Sequence, residues 1–122
     1  MKANDQGNKI FDLEERTFQF AKAVRLLVKT LPKTTSNIED GKQVIRSSGS
    51  VGANYREANE ALSKKDFCMR MKISRKEAKE SSYWLRLINE TNININSDVV
   101  IKLIQEANEL LKIFSAILSK SA

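Results

Sequence analysis

Lys64 to Arg86 reads KKDFCMRMKISRKEAKESSYWLR, and at 100° per residue it separates into faces that only a helix can hold apart. Phe67, Met71, Ser74, Ala78, Ser81, Trp84, Leu85 and then Ile88 make an apolar or small arc, the pattern of a helix buried along one side. Lys64, Lys65, Lys72, Arg75, Lys76, Lys79 and Arg86 share an adjoining arc of roughly 120°. Asp66, Glu77 and Glu80 lie away from that arc, so the charges are segregated rather than interleaved as i,i+4 pairs. Lys and Arg exceed Asp and Glu by five in this stretch, against a net charge of +6 for the whole chain. Nearly all the excess sits on one helix, the distribution of an electrostatic footprint for nucleic acid; a solvated helix face is the competing reading.

Three more helices follow by working outward. From Asp12 to about Leu31 the residues Leu13, Thr17, Phe20, Val24, Leu27 and Leu31 recur at spacings of 4 and 3, and Pro32 ends the helix. Ser36 or Asn37 is expected to cap a second helix running to about Leu62, with Glu39 and Asp40 in its first turn. Its apolar arc holds Val44, Ile45, Val51, Tyr55, Ala58 and Leu62, and Gly49 and Gly52 within it predict close approach by a neighbouring backbone. Ser63 with Asp66 is an S-x-x-D cap opening the helix at Lys64. After an Asn-rich connection, Ser97 is expected to cap a fourth helix to about Lys120, with Val100, Leu103, Ile104, Ala107, Leu110, Leu111, Phe114, Ile117 and Leu118 on one wide arc. Short connections make neighbours antiparallel, so the fold class is an all-α, up-down-up-down four-helix bundle. One domain is expected at residues 11–122, after a disordered lead-in at 1–10.

Composition excludes much chemistry. The chain has no histidine, which removes His-based acid–base and nucleophile-activation schemes and the usual zinc and di-iron ligand sets. Cys68, the only cysteine, has no partner base and reads as a helix-surface or interface residue. No GxGxxG or GxxxxGK[ST] loop occurs, and Gly49-Ser50-Val51-Gly52 continues into Ala53 on a helix, so it is no nucleophile elbow. No enzyme activity, cofactor or metal is expected. With no apolar run of about 20 residues and no secretory leader at MKANDQGNKI, the expectation is a cytoplasmic protein without a membrane partner.

Two further sets of residues point to contacts. Phe11, Phe18, Met69, Ile73, Tyr83 and Leu87 fall outside the core arcs of their helices, which favours a subunit interface. Phe18, near Lys22 and Arg25, and Tyr83, near Lys79 and Arg86, are also the two aromatic candidates for stacking on bases. Arg46, Ser50, Asn54 and Glu57 form a polar line on the second helix, read as a structural hydrogen-bond network.

Phe11-Asp12-Leu13, the run QVIRSSGSVGANYREA from Gln43 to Ala58 and the run SKKDFCMRMKISRKEAKESSYWLRL from Ser63 to Leu87 together resemble the bacterial 23S rRNA intervening-sequence proteins, over about residues 11 to 118. The most specific parts are the Ser50, Asn54, Glu57 line, the entry at Ser63 to Phe67, and Glu77 to Glu80. The chain departs from the family pattern at Ala58, where glycine is frequent, and in the tract Gly49 to Gly52. The resemblance implies a short antiparallel bundle assembled as a homopentameric barrel with a non-enzymatic role. Family members are encoded within large-subunit ribosomal RNA genes, and distant relatives are nucleic-acid-binding accessory proteins of diversity-generating retroelements. The reading is therefore a homo-oligomer that binds nucleic acid, RNA in preference to DNA, through the basic stripe. A scaffold that docks a protein partner is the alternative.

Overall fold

A computed structural model describes the backbone of residues 5–121 and the side chains of residues 13–121. Four helices account for most of it: α1 (Asp5–Thr30), α2 (Thr35–Asn59), α3 (Lys64–Thr91) and α4 (Ser97–Ser121), and the described residues contain no strand. Helix α1 begins ahead of the expected Asp12; residues 1–4 of the expected lead-in, and the side chain of Phe11, lie outside the described set. Each helix packs on its neighbours in sequence and α1 also packs on α4, while across the diagonal the backbones stay apart and side chains meet in the core, as Tyr55 of α2 does Phe114 of α4 with ring centroids 6.1 Å apart. The bundle is thus a square ring in chain order, with α1 against α4 as its slightest seam.

The 4–3 spacing of α1 translates directly into burial. Leu13, Thr17, Phe20, Val24, Leu27 and Leu31 are all buried, and they meet Val44, Val51 and Tyr55 of α2 and Leu103, Ala107, Leu110 and Phe114 of α4 in one core. From α3 come Met71, Ala78, Leu85 and Ile88, with Phe67 and Trp84 packed at the margin. Leu62 does not join them. Helix α2 stops at Asn59, with Glu60 as its C-cap, and Leu62 is fully exposed in the connection.

The α2–α3 seam is built from small residues. Ser47 of α2 and Ser74, Ala78 and Ser81 of α3 are buried, which lets the two backbones come close. Each hydroxyl finds a partner: Ser74 Oγ donates to Val51 O at 2.9 Å, Ser81 Oγ to Glu77 O at 2.9 Å, and Ser47 and Ser81 share a 2.8 Å bond. A satisfied buried bond of this type contributes about 1 kcal/mol, whereas an orphaned hydroxyl would cost as much or more.

The helix caps differ in part from expectation. Ser63 caps α3 as its S-x-x-D pattern requires, its Oγ accepting from Asp66 N at 3.0 Å. Helix α2 is capped by Thr34, whose Oγ1 accepts from Asn37 N at 3.2 Å, and its first turn carries no acid, so Ser36, Glu39 and Asp40 do not have the roles assigned to them. Asn37 is buried instead and exchanges two side-chain hydrogen bonds with Asn92, at 2.8 and 2.9 Å; its Nδ2 also donates to Pro32 O, and Asn92 Nδ2 to Ile88 O. This amide pair ties the α1–α2 turn to the α3–α4 turn at one end of the bundle. At the start of α4, Asn96 Oδ1 accepts from Val99 N at 3.4 Å, while Ser97 Oγ donates to Asn89 Oδ1 at 2.8 Å rather than capping.

Candidate nucleic-acid interface

Because α3 buries one face against α2 and α4, its basic arc is turned outward. Lys64, Lys65, Lys72, Lys76, Lys79 and Arg86 are exposed and Arg75 is half-buried. The structure brings four of the seven together: Lys72, Arg75, Lys76 and Lys79 line a groove of about 500 Å³ at the α3–α4 seam, with Leu111 of α4 as its apolar floor and no acidic side chain in its lining. None of the four forms an ion pair among the described residues. At a rise of 1.5 Å per residue, Lys72 to Lys79 spans roughly 10 Å of axis, the length over which a nucleic-acid duplex presents about six phosphates. The other three stand apart. Lys64 and Lys65 sit at the N-terminal turn of α3, and Arg86 is paired with Glu90 at 3.5 Å.

The groove keeps its charge because Glu77 and Glu80, the acids of α3 nearest it in sequence, are engaged elsewhere. Arg46 of α2 reaches both, with its NH2 3.4 Å from Glu77 Oε1 and 2.8 Å from Glu80 Oε2, while its NH1 donates to Glu77 Oε2 at 3.4 Å. Glu77 is only 6% exposed, and its Oε1 receives no hydrogen bond within the described residues. Trp84 Nε1 donates to Glu80 Oε2 at 3.4 Å. Burial opposes ionisation of Glu80, but the Trp84 indole and the Arg46 guanidinium outweigh it and hold the carboxyl below its ordinary value of 4.5. Its contact with Arg46 therefore stabilises the fold fully above that ordinary value and is lost as pH falls through the lowered one. The stability difference between wild type and Glu80→Gln, measured by urea titration, is expected to be present at neutral pH and to shrink below about pH 4.5.

The family model of the 23S rRNA-intervening sequence protein matches residues 10–116. The chain belongs to that family. A solved structure from Bacteroides thetaiotaomicron, described as a protein with unknown function from the S23 ribosomal protein family, is 32% identical, with a TM-score of 0.78 over 87% of this chain and 97% of its own. No curated protein matches the chain. The match to that solved structure is consistent with the four-helix architecture found here.

The remaining candidates divide within this family fold. The polar line on α2 is two clusters rather than one. Arg46 belongs to the acids of α3, while Asn54 Nδ2 donates to Ser50 O and Ser50 Oγ, at 3.0 and 2.9 Å, and Asn54 Oδ1 accepts from Arg70 at 3.1 Å. Glu57 is exposed and joins neither. Arg70, Glu77 and Glu80 complete these clusters from α3, and local spacing within α2 carries no trace of them. Of the outward apolar set, Phe18, Met69 and Tyr83 are 59%, 50% and 58% exposed and Ile73 and Leu87 are half-buried. Tyr83 packs edge-on against Trp84 with ring centroids 5.0 Å apart. Cys68 is half-buried and free.

Proposed function

We propose that this chain is a non-enzymatic, cytoplasmic homo-oligomer that binds nucleic acid, RNA in preference to DNA, through the phosphate backbone. The observation that carries the reading is the acid-free groove at Lys72, Arg75, Lys76 and Lys79, kept unneutralised by the capture of Glu77 and Glu80 at Arg46. The family's name supports RNA over DNA. No helix of the described residues is long and apolar enough to cross a membrane, which is compatible with a cytoplasmic setting. Wild-type protein should bind RNA with a log–log salt slope of about −2 to −4 if one groove contacts three or four phosphates, and a steeper one if several grooves share a strand. Gel-shift titration at two salt concentrations measures it. Absence of binding at low salt would leave the protein-docking scaffold as the better description.

Met69, Ile73, Tyr83 and Leu87 fall within an arc of about 80° on α3 that overlaps the edge of the basic arc at Tyr83. Copies packed along this apolar stripe would align their basic grooves, turning a weak contact into avidity. The family resemblance implies five copies. Light scattering at micromolar concentration is expected to return a multiple of the 13.8 kDa chain mass; a monomer mass would make these residues ordinary exposed apolars.

A further inference from the structure

The α1–α2 seam lies across the square from the α3–α4 groove, and it carries a second basic surface of different character. Phe18, Lys22, Arg25 and Lys29 succeed one another at i, i+4, i+7 and i+11, which puts them on a single face of α1. They line a concavity of about 440 Å³ together with Leu26 and, from α2, Gly49; no acidic side chain lines it. None of the three cations forms an ion pair among the described residues. The Arg25 guanidinium lies over Gly49. Its NH1 donates to Ala21 O at 3.1 Å, and its NH2 rests 3.1 Å from where a Cβ on Gly49 would stand, so the glycine makes room for it. At one end of this row of positive charge, the Phe18 ring is 59% exposed.

A bare phosphate track needs no exposed aromatic ring, and an apolar subunit contact is ill served by three unpaired cations around its ring. Both features suit an unpaired nucleic-acid strand, whose bases offer a face to stack on the ring while its phosphates follow the cations. We propose that the α1 face from Phe18 to Lys29 is a second nucleic-acid contact, selective for single strands, on the flank of the bundle opposite the α3 groove. It shares with the proposed function the premise that the chain binds nucleic acid, but it uses separate residues. One protomer could then hold duplex or structured RNA on α3 and an unpaired segment on α1.

The test uses the full chain and two fluorescent probes at low salt, a short oligouridine and a short RNA duplex, read by anisotropy. Phe18→Ala is expected to weaken oligouridine binding by about 5- to 100-fold and to leave duplex binding nearly unchanged, and Phe18→Trp to retain oligouridine binding. Light scattering of each variant should give the wild-type mass. Unchanged oligouridine affinity in Phe18→Ala would overturn the α1 contact while leaving the α3 groove untouched. A fall in mass accompanied by weaker binding of both probes would assign Phe18 to a subunit interface and also overturn it. Failure of the wild type to bind either probe would reject both surfaces together.

Discussion

Changing Lys72, Lys76 and Lys79 together to Gln is expected to lower RNA affinity by on the order of 10²–10³-fold at ~0.1 M salt. Each phosphate neutralised on a duplex contributes about 0.9 to the log–log salt slope, so three lost contacts flatten it by about 2 to 3. The three lysines are exposed and make no ion pair among the described residues, and Gln has nearly the same helix propensity, so circular dichroism and melting should match wild type. Competition between unrelated sequences should stay nearly even in both proteins, since phosphate contacts position a protein without reading bases. Equal affinity of variant and wild type would show that the groove is a solvated face.

The second large effect concerns Gly52, where α2 packs against Thr17 of α1. A Cβ built there would stand 2.8 Å from Thr17 Oγ1 and 3.1 Å from Thr17 Cβ. Thr17 cannot yield cheaply: it is 1% exposed, and its Oγ1 donates to Glu14 O at 3.0 Å. Gly52→Leu should therefore cost about 1 to 3 kcal/mol through overpacking, despite a propensity gain approaching 1 kcal/mol. Gly49→Ala is the control. There the new Cβ meets only the end of the Arg25 side chain, which can swing into solvent, so the propensity gain should dominate. Urea titration of both variants checks the contrast, and an unchanged midpoint for Gly52→Leu would mean that α1 does not press on α2 at Thr17.

What the sequence made legible is whatever a single helix can express by itself. The six-residue stripe of α1, the core arc of α3 and the Ser63 cap are local patterns, and each reappears in place. The failures arise where a distant residue decides. Thr34, Thr35, Ser36 and Asn37 are consecutive residues that can all cap, and the choice of Thr34 accompanies the engagement of Asn37 with Asn92. Arg46 lay on a polar line with Glu57, but the acids it contacts are Glu77 and Glu80. For the same reason the basic arc could be read from sequence, while its separation into a four-cation groove, a terminal Lys64–Lys65 pair and a neutralised Arg86 could not.

The ring order of the helices has a kinetic meaning. Contacts between successive helices close short loops and form early and fast, whereas the α1–α4 seam joins the two ends of the chain and carries the largest loop-closure entropy. That seam is also the slightest, fastened by the Arg16–Glu106 fork at 2.6 and 2.9 Å. Helix α1 also packs less on α2 than α4 does on α3, so its amides are expected to exchange with solvent ahead of those of α2 and α3.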